Sequence, residues 1–526
     1  MATKSNNFSF GEDHLTSGIA LKIAREEITG IISETTREKI KKSKQIVDNI
    51  VNEGKPVYGI NTGFGPLCTT KISKEETKIL QQNILQSHSV GVGSPINFET
   101  AKLMLILKMQ SLSKGYSGIA ENTLDRILWH INSNAIPVVP GQGSVGASGD
   151  LAPLSHLFLP LIGLGKVRYQ NQIITTQKLF EINGLEPIEL GPKEGLALIN
   201  GTQFIAAHAV QIVEKLHACL SQADIIGAMM IEGLQGSIKP FYDELHQLRP
   251  FKGNVHVASR IKSLLQDSEI MKEHSNCERV QDPYSLRCIP QVHGASRNAW
   301  LHLKELVEIE LNAVTDNPVI INNELTISGG NFHGQPLAMA IDYACLAASE
   351  IGNISDRRIY LALEGTAPGV PKLLMQNTGI NSGFMILQYT TAALASENKG
   401  LCFPSSADSI PTSLGQEDHV SMGSIAGRKA LNVIHNVEKI LAIELLTAAQ
   451  AFEFRKPLRS GVILDLIHKK IREQISFAKE DRVFADDIEK GIKMIQEKTI
   501  LSCIRTSSTS NKQFINTPYS DTFEVY

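Results

Sequence analysis

No proline interrupts the chain between Pro411 and Pro457, and the segment 422–454 is rich in Ala, Leu, Ile and Val. Proline breaks helix interiors, so this long uninterrupted run constrains the fold more than any other feature. Charged residues are interspersed at Arg428, Lys429, Glu438, Lys439, Glu444 and Glu453, yet apolar residues surround most of the helix they would make. Segments 203–234, 295–314 and 337–363 have the same character. Each far exceeds the ~12-residue mean helix. Helices apolar on most sides must be buried among one another, which predicts a mainly α-helical, long-helix bundle. No strict heptad persists, so a coiled coil fits less well.

Strand signals are few. Segments 166–176 and 319–327 read as hairpins, turning at Gln170-Asn171 and Asn322-Asn323. Glycine and proline concentrate at 58–66, 91–95, 137–153 and 328–336, loops where chemistry can be sited. The expected organisation is a mixed, loop-rich N-terminal domain over 1–200, a bundle with C-terminal helices over 201–505, and a partly flexible polar tail over 506–526. The 526 residues carry 51 basic and 54 acidic side chains, so the net charge of −3 points to neither nucleic acid nor an anionic membrane as partner. No apolar run reaches the ~18 residues of a membrane span, and no secretory h-region opens the chain. Seven cysteines (Cys68, Cys219, Cys277, Cys288, Cys345, Cys402 and Cys503), never spaced C-x-x-C, read as reduced thiols of a cytoplasmic protein. No His/Asp/Glu cluster has metal spacing.

The segment 141–153, GQGSVGASGDLAP, carries the chemistry. Its glycines call for backbone conformations closed to other residues, and Asp150 reads as an acidic cap on a helix beginning at Leu151. A phosphate loop would need a Gly-Lys-Ser/Thr ending, which is missing. The alternative is self-reaction of Ala147-Ser148-Gly149. Attack of the Gly149 nitrogen on the Ala147 carbonyl with loss of water closes a five-membered imidazolone ring. Loss of the Ser148 hydroxyl as a second water leaves an exocyclic methylene, a soft electrophile beside a helix N-terminus. A bare flexible turn would explain the same three residues, which are individually common.

The flanking motifs decide between these. From residue 57 to about 456 the chain resembles the aromatic amino acid ammonia-lyase family. The blocks are VYGINTGFG (57–65), SHSVGVG (87–93), GSVGASGDLAPLSH (143–156), EGLALINGTQ (194–203), VQDPYSLRC (280–288), DNP (316–318), GGNFHGQP (329–336) and QEDHVSMG (416–423). The resemblance implies a fumarase/aspartase-like helical fold and a homotetramer whose active sites combine residues of different subunits. It also implies a 4-methylidene-imidazol-5-one cofactor made from Ala147, Ser148 and Gly149, with no external cofactor.

The family acts on histidine, tyrosine or phenylalanine, and some members move the amine to the β-carbon. Glu417 in QEDH resembles the histidine branch, where tyrosine and phenylalanine members have an amide. A carboxylate suits an imidazole N–H but is a costly neighbour for a phenyl ring in a dry pocket. His88 falls where the family contacts the substrate ring, and VQDPYSLRC also looks like the histidine branch. The implied reaction is elimination of ammonia from L-histidine to give trans-urocanate, the first step of histidine degradation.

Other roles follow from the resemblance. Tyr58 matches the base for the β-proton and Tyr284 the second active-site tyrosine. Arg287 matches the grip on the substrate carboxylate, Asn200 the amide on the cofactor oxygen, Phe332 a residue packing near the cofactor, and Gln281 a polar substrate contact. Glu417 is expected to be chemically independent of the cofactor-forming residues, being remote in sequence. His208, His217 and His435 lie on apolar segments and read as core or interface. The rival readings are a tyrosine ammonia-lyase or aminomutase on the same scaffold, and a non-catalytic helical binding protein. Against the last, all the matched residues above are intact.

Overall fold

The computed structural model describes residues 7–54, 56–63, 65, 72–274, 280–506 and 517–526. Phe64, Cys68 and Cys277 lie outside them. Five long helices form the bundle: α1 (Gln203–Gly233), α2 (Ile289–Leu311), α3 (Gln335–Leu363), α4 (Met385–Leu401) and α5 (Gly423–Glu453). Helix α5 packs along α1, α3 and α4, and α2 packs along α1 and α3. Nearly every residue of α1 is buried, as its all-round apolar sequence requires. The mainly α-helical expectation holds, with one boundary corrected. Helix α2 begins at Ile289, not at 295, because Pro290 occupies its first turn, where a missing N–H costs nothing.

Three of the long helices, α1, α3 and α5, share a polarity that matters for the site. A Cβ placed on Gly334 or Gly423 would fall 2.6 and 2.7 Å from Ile205, so the N-termini of α3 and α5 meet the start of α1. Helix α2 runs the other way. Its Glu310 takes the Thr202 hydroxyl beside the start of α1, while Ile289 faces Gly227 near the far end.

Several of the charges buried in this apolar setting are paired. Asp224 of α1 accepts from Arg260 at 3.0 Å, Arg297 at 2.5 Å and His293 at 2.8 Å. Arg358 of α3 forks onto Glu444 of α5. Glu214 accepts both guanidinium nitrogens of Arg25, at 2.7 and 2.6 Å, and Lys498 at 2.8 Å.

The N-terminal region wraps the start of α1. Helix Phe98–Leu112 packs directly on α1, and one hydrophobic core runs from it into the bundle. The hairpin Lys166–Tyr169/Gln172–Thr175 turns at Gln170 and Asn171, both with positive φ, as the spacing predicts. Val319–Ile320 pairs with Thr326–Ile327 around the Asn322 turn. His208 and His217 are core residues bonded to backbone carbonyls of Phe204 and Phe523. The flexible-tail expectation fails for 517–526. Phe523 is buried, Glu524 binds Arg260 and His256, and the Tyr526 ring rests against His217. Residues 507–516 lie outside the described ones.

Glu214 sets an acid limit to stability. Burial opposes its ionisation, but hydrogen bonds from Arg25 and Lys498 prevail and bring its pKa down to about 2. A carboxyl lowered on folding stabilises fully above its unfolded value of about 4.3, and that contribution is lost as pH falls toward 2. The thermal midpoint of the wild type should therefore drop across this window more steeply than that of Glu214→Gln, measured at equal protein concentration.

Candidate active site

The glycine-rich loop is pinned from two sides. On one, the Ser424 hydroxyl donates to the Ser144 carbonyl at 2.6 Å and Met422 N–H donates to the Val145 carbonyl at 2.9 Å, both from the start of α5. On the other, Asp150 N–H donates to the Gly201 carbonyl at 2.8 Å and Gly201 N–H to the Ser148 carbonyl at 3.3 Å. The Asp150 carboxylate accepts from Phe204 N–H at 3.1 Å and Ile205 N–H at 3.0 Å. It thus caps α1. It makes no capping bond to the helix Leu151–Phe158 that follows it, which corrects the sequence reading. Burial pushes the Asp150 carboxyl up to about 7, against these donors and the Ser144 hydroxyl.

Two glycines make room for close backbone approach. A Cβ on Gly149 would lie 2.1 Å from the Gly201 carbonyl oxygen, and one on Gly146 would lie 2.1 Å from Ser421 Oγ. Between them Ser148 is held at φ +50°, a left-handed conformation that costs a residue with a Cβ roughly 1–2 kcal/mol. This compressed turn, with only glycine tolerated after the serine, fits a ring closure within Ala147-Ser148-Gly149.

Asn200 is fixed beside it. Its side-chain N–H donates to the Asn317 carbonyl at 2.9 Å, and buried Lys108 donates to its own carbonyl. Burial lowers Lys108 to about 7. Lys193 and Asp316, 2.6 Å apart and both buried, complete the support. The sequence reading missed Lys108. Its one signal is that it is one of two lysines, with Lys102, inside the otherwise apolar run of helix Phe98–Leu112.

A cavity of about 690 Å³ opens over the loop, lined by Ser148, Tyr58, His88, Asn200, Glu417 and neighbouring apolar side chains such as Leu196. The volume suits a small ligand. The Tyr58 hydroxyl accepts from Gly65 N–H at 3.4 Å. Burial holds the His88 imidazole below its ordinary pKa, with Glu417 opposing the shift. Glu417 shares this cavity with His88, as the sequence reading expects, but it also reaches Ser148. Its Oε1 accepts the Ser148 hydroxyl at 2.7 Å, and its Oε2 accepts Thr412 Oγ1 at 2.9 Å and Ser413 Oγ at 2.8 Å. The expected independence of Glu417 from the cofactor-forming serine is therefore wrong.

The other expected residues are not brought to this cavity within one chain. Arg287 lies over the Tyr284 ring at 4.5 Å and donates to Gln281 at 3.1 Å, so these three form their own cluster. Tyr284 is 70% exposed and lines a second cavity with Asn353 and Arg357 of α3. Gln281 lies near Leu361 and Glu364, at the C-terminal end of α3, whereas the N-terminal end of α3 abuts the start of α1. At 1.5 Å per residue the 29 residues of α3 span about 43 Å, which separates the two clusters. Phe332 is half-buried and does not line the Ser148 cavity. Among the described residues no His/Cys/Asp/Glu group could hold a metal ion.

Parallel long helices with a glycine-rich loop at their joined N-termini define a helical lyase of the fumarase/aspartase-like fold. The aromatic amino acid lyase family model matches residues 15–473. The chain is 42% identical to the histidine ammonia-lyase of Myxococcus xanthus, over 93% of this chain and 96% of that one. It is 46% identical to that of Vibrio cholerae, over 87% and 90%. The crystal structure of histidine ammonia-lyase from Trypanosoma cruzi superposes with a TM-score of 0.88 at 38% identity, covering 97% of each chain. The chain belongs to the aromatic amino acid lyase family.

Asp150→Ala removes the acceptor for two otherwise unpaired N–H groups at the start of α1. It should lower stability by about 1–2 kcal/mol, read as a fall in thermal midpoint, with Asp150→Asn less affected.

Proposed function

We propose that the protein is a histidine ammonia-lyase that converts L-histidine to trans-urocanate and ammonia in the cytoplasm. The observation that carries this reading is the single cavity joining Ser148, Tyr58, His88, Asn200 and Glu417 in a chain of this family. A methylidene-imidazolone held at Ala147, Ser148 and Gly149 would supply an electrophile for the substrate amine. The Gly146 and Gly149 cradle, the strained Ser148 and the converging positive helix ends all fit such a group.

The chain's own residues do the rest. Glu417, held by Thr412 and Ser413, offers a carboxylate oxygen to the substrate imidazole N–H, and uncharged His88 faces the same ring. Tyr58 takes the β-proton as the C–N bond breaks. Asn200, immobilised by Asn317 and Lys108, presents its amide to the cofactor oxygen. Arg287 binds the substrate carboxylate, aided by Tyr284 and Gln281, with Phe332 packing near the cofactor. About 43 Å of α3 separates the Gln281 end from Ser148, so this second cluster serves a site on another copy of the chain. Exposed Met339, Tyr343 and Leu346 on α3, an apolar stripe at i, i+4, i+7, supply a contact face for a homotetramer.

Incubation with L-histidine, L-tyrosine and L-phenylalanine tests the substrate. Ammonia should be released from histidine with by far the highest kcat/KM, and outright preference for tyrosine would overturn the assignment. Ser148→Ala should keep the fold and lose nearly all activity.

Assembly is tested separately. Light scattering should give a tetramer, and mixing inactive Ser148→Ala with inactive Arg287→Ala during refolding should restore activity through mixed sites. A fully active monomer, or no recovery in verified mixed tetramers, would overturn sharing.

A further inference from the structure

The structure holds Ser148 with its hydroxyl in place, and that hydroxyl has one side-chain partner, Glu417 Oε1 at 2.7 Å. The rest of the carboxylate is fixed. Oε2 accepts from Thr412 and Ser413, and the backbones of Thr412 and Glu417 pair across the tight turn 412–417. Ser413 and Leu414 are left-handed at φ +51° and +55°, so the turn is built into a specific shape that aims Glu417 at Ser148. A general acid must be within hydrogen-bond reach of the atom it protonates, and Glu417 satisfies this for the oxygen that has to leave.

We propose that Glu417 is the proton donor for dehydration of Ser148, in addition to its role in substrate recognition. The inference rests on the reading that Ala147-Ser148-Gly149 becomes the cofactor. In this step the Ser148 Cα proton passes through cavity water to the Glu417 carboxylate, and its electron pair forms the Cα–Cβ double bond. As the Cβ–Oγ bond breaks, Glu417 hands that proton to the departing oxygen, which leaves as water. The carboxylate is regenerated and the net change is loss of one water.

The same geometry explains how one carboxylate can serve two tasks in turn. Before dehydration Oε1 is occupied by the serine hydroxyl. Afterwards that hydroxyl is gone while Thr412 and Ser413 still grip Oε2. Oε1 is then free, already oriented, at the edge of the cavity that receives the substrate ring. The unprocessed chain blocks its own recognition group.

Intact mass of freshly purified protein tests this apart from activity. Wild type should be lighter than its sequence by two waters. Glu417→Gln and Glu417→Ala should assemble like Ser148→Ala yet carry a deficit of one water or none, with dehydration slowed on the order of 10²–10⁴-fold. Added acetate should restore the second loss in Glu417→Ala by supplying a carboxyl group to the vacated space. If the Glu417 variants fail to fold, Thr412→Val with Ser413→Ala, which loosens Oε2 alone, should still slow the second loss. Full two-water deficits in folded Glu417→Gln and Glu417→Ala, formed at the wild-type rate, would overturn the proposal. An unmodified mass in active wild type would instead overturn the cofactor reading beneath it.

Discussion

A single buried carboxylate holds the two halves of the site together. Asp150 belongs to the N-terminal region, but its Oδ2 accepts from two of the first N–H groups of α1, the helix through the middle of the bundle. Helix ends leave such donors unpaired, and burying them unpaired would cost a lost hydrogen bond each. Asp150 meets that need from outside the helix, and its own N–H bonds to Gly201. Ala147-Ser148-Gly149 is thereby drawn against the start of α1 until only glycine fits at 149. The starts of α3 and α5 close on the same place, so three helix dipoles present their positive ends to one loop. The field that would stabilise developing negative charge is a consequence of the packing direction.

The rest of the bundle is built so that this direction is not lost. Long apolar helices pack in many registers, and hydrophobic burial alone discriminates poorly among them. Asp224 with Arg260, Arg297 and His293, and Arg358 with Glu444, fix which residues face each other across α1, α2, α3 and α5. A buried ion pair gains little over apolar packing when made but costs several kcal/mol when broken, so a slip in register is penalised heavily. Lys193–Asp316 and Lys108 do the same under Asn200.

How much of this could be read from the sequence depended on whether the signal was local. Proline spacing and all-round apolar composition located the long helices, because both act within a single helix. Helix α2 was placed late because proline has opposite meanings in a first turn and in an interior, and Pro290 sits in the first turn. Asp150 next to Leu151 looked like the cap of its own helix. Its true partners are more than fifty positions away, and no local rule reaches them. The Ser148–Glu417 bond joins residues 269 apart, so the identity of each was legible and their contact was not. The tail misled for a related reason. Its polar composition suggested solvent, yet Glu524 is polar in order to meet Arg260 and His256 in a buried setting.

The geometry also bears on why such a chain should work in multiples. Helix α3 has its N-terminal end at the glycine-rich loop and its C-terminal end near Gln281, and a rigid helix of this length cannot bring its ends together. Under the proposed function, one chain therefore carries half of two sites. A two-fold axis perpendicular to α3 sets two copies antiparallel, so the Arg287 end of each meets the Ser148 end of the other. That operation is isologous and closed, and one apolar stripe on α3 can serve both partners. The segment 412–417, with Leu414 95% exposed at the cavity mouth, would gain cover in such an assembly. Under the proposed function, the length of α3 is thus what would divide the site between copies.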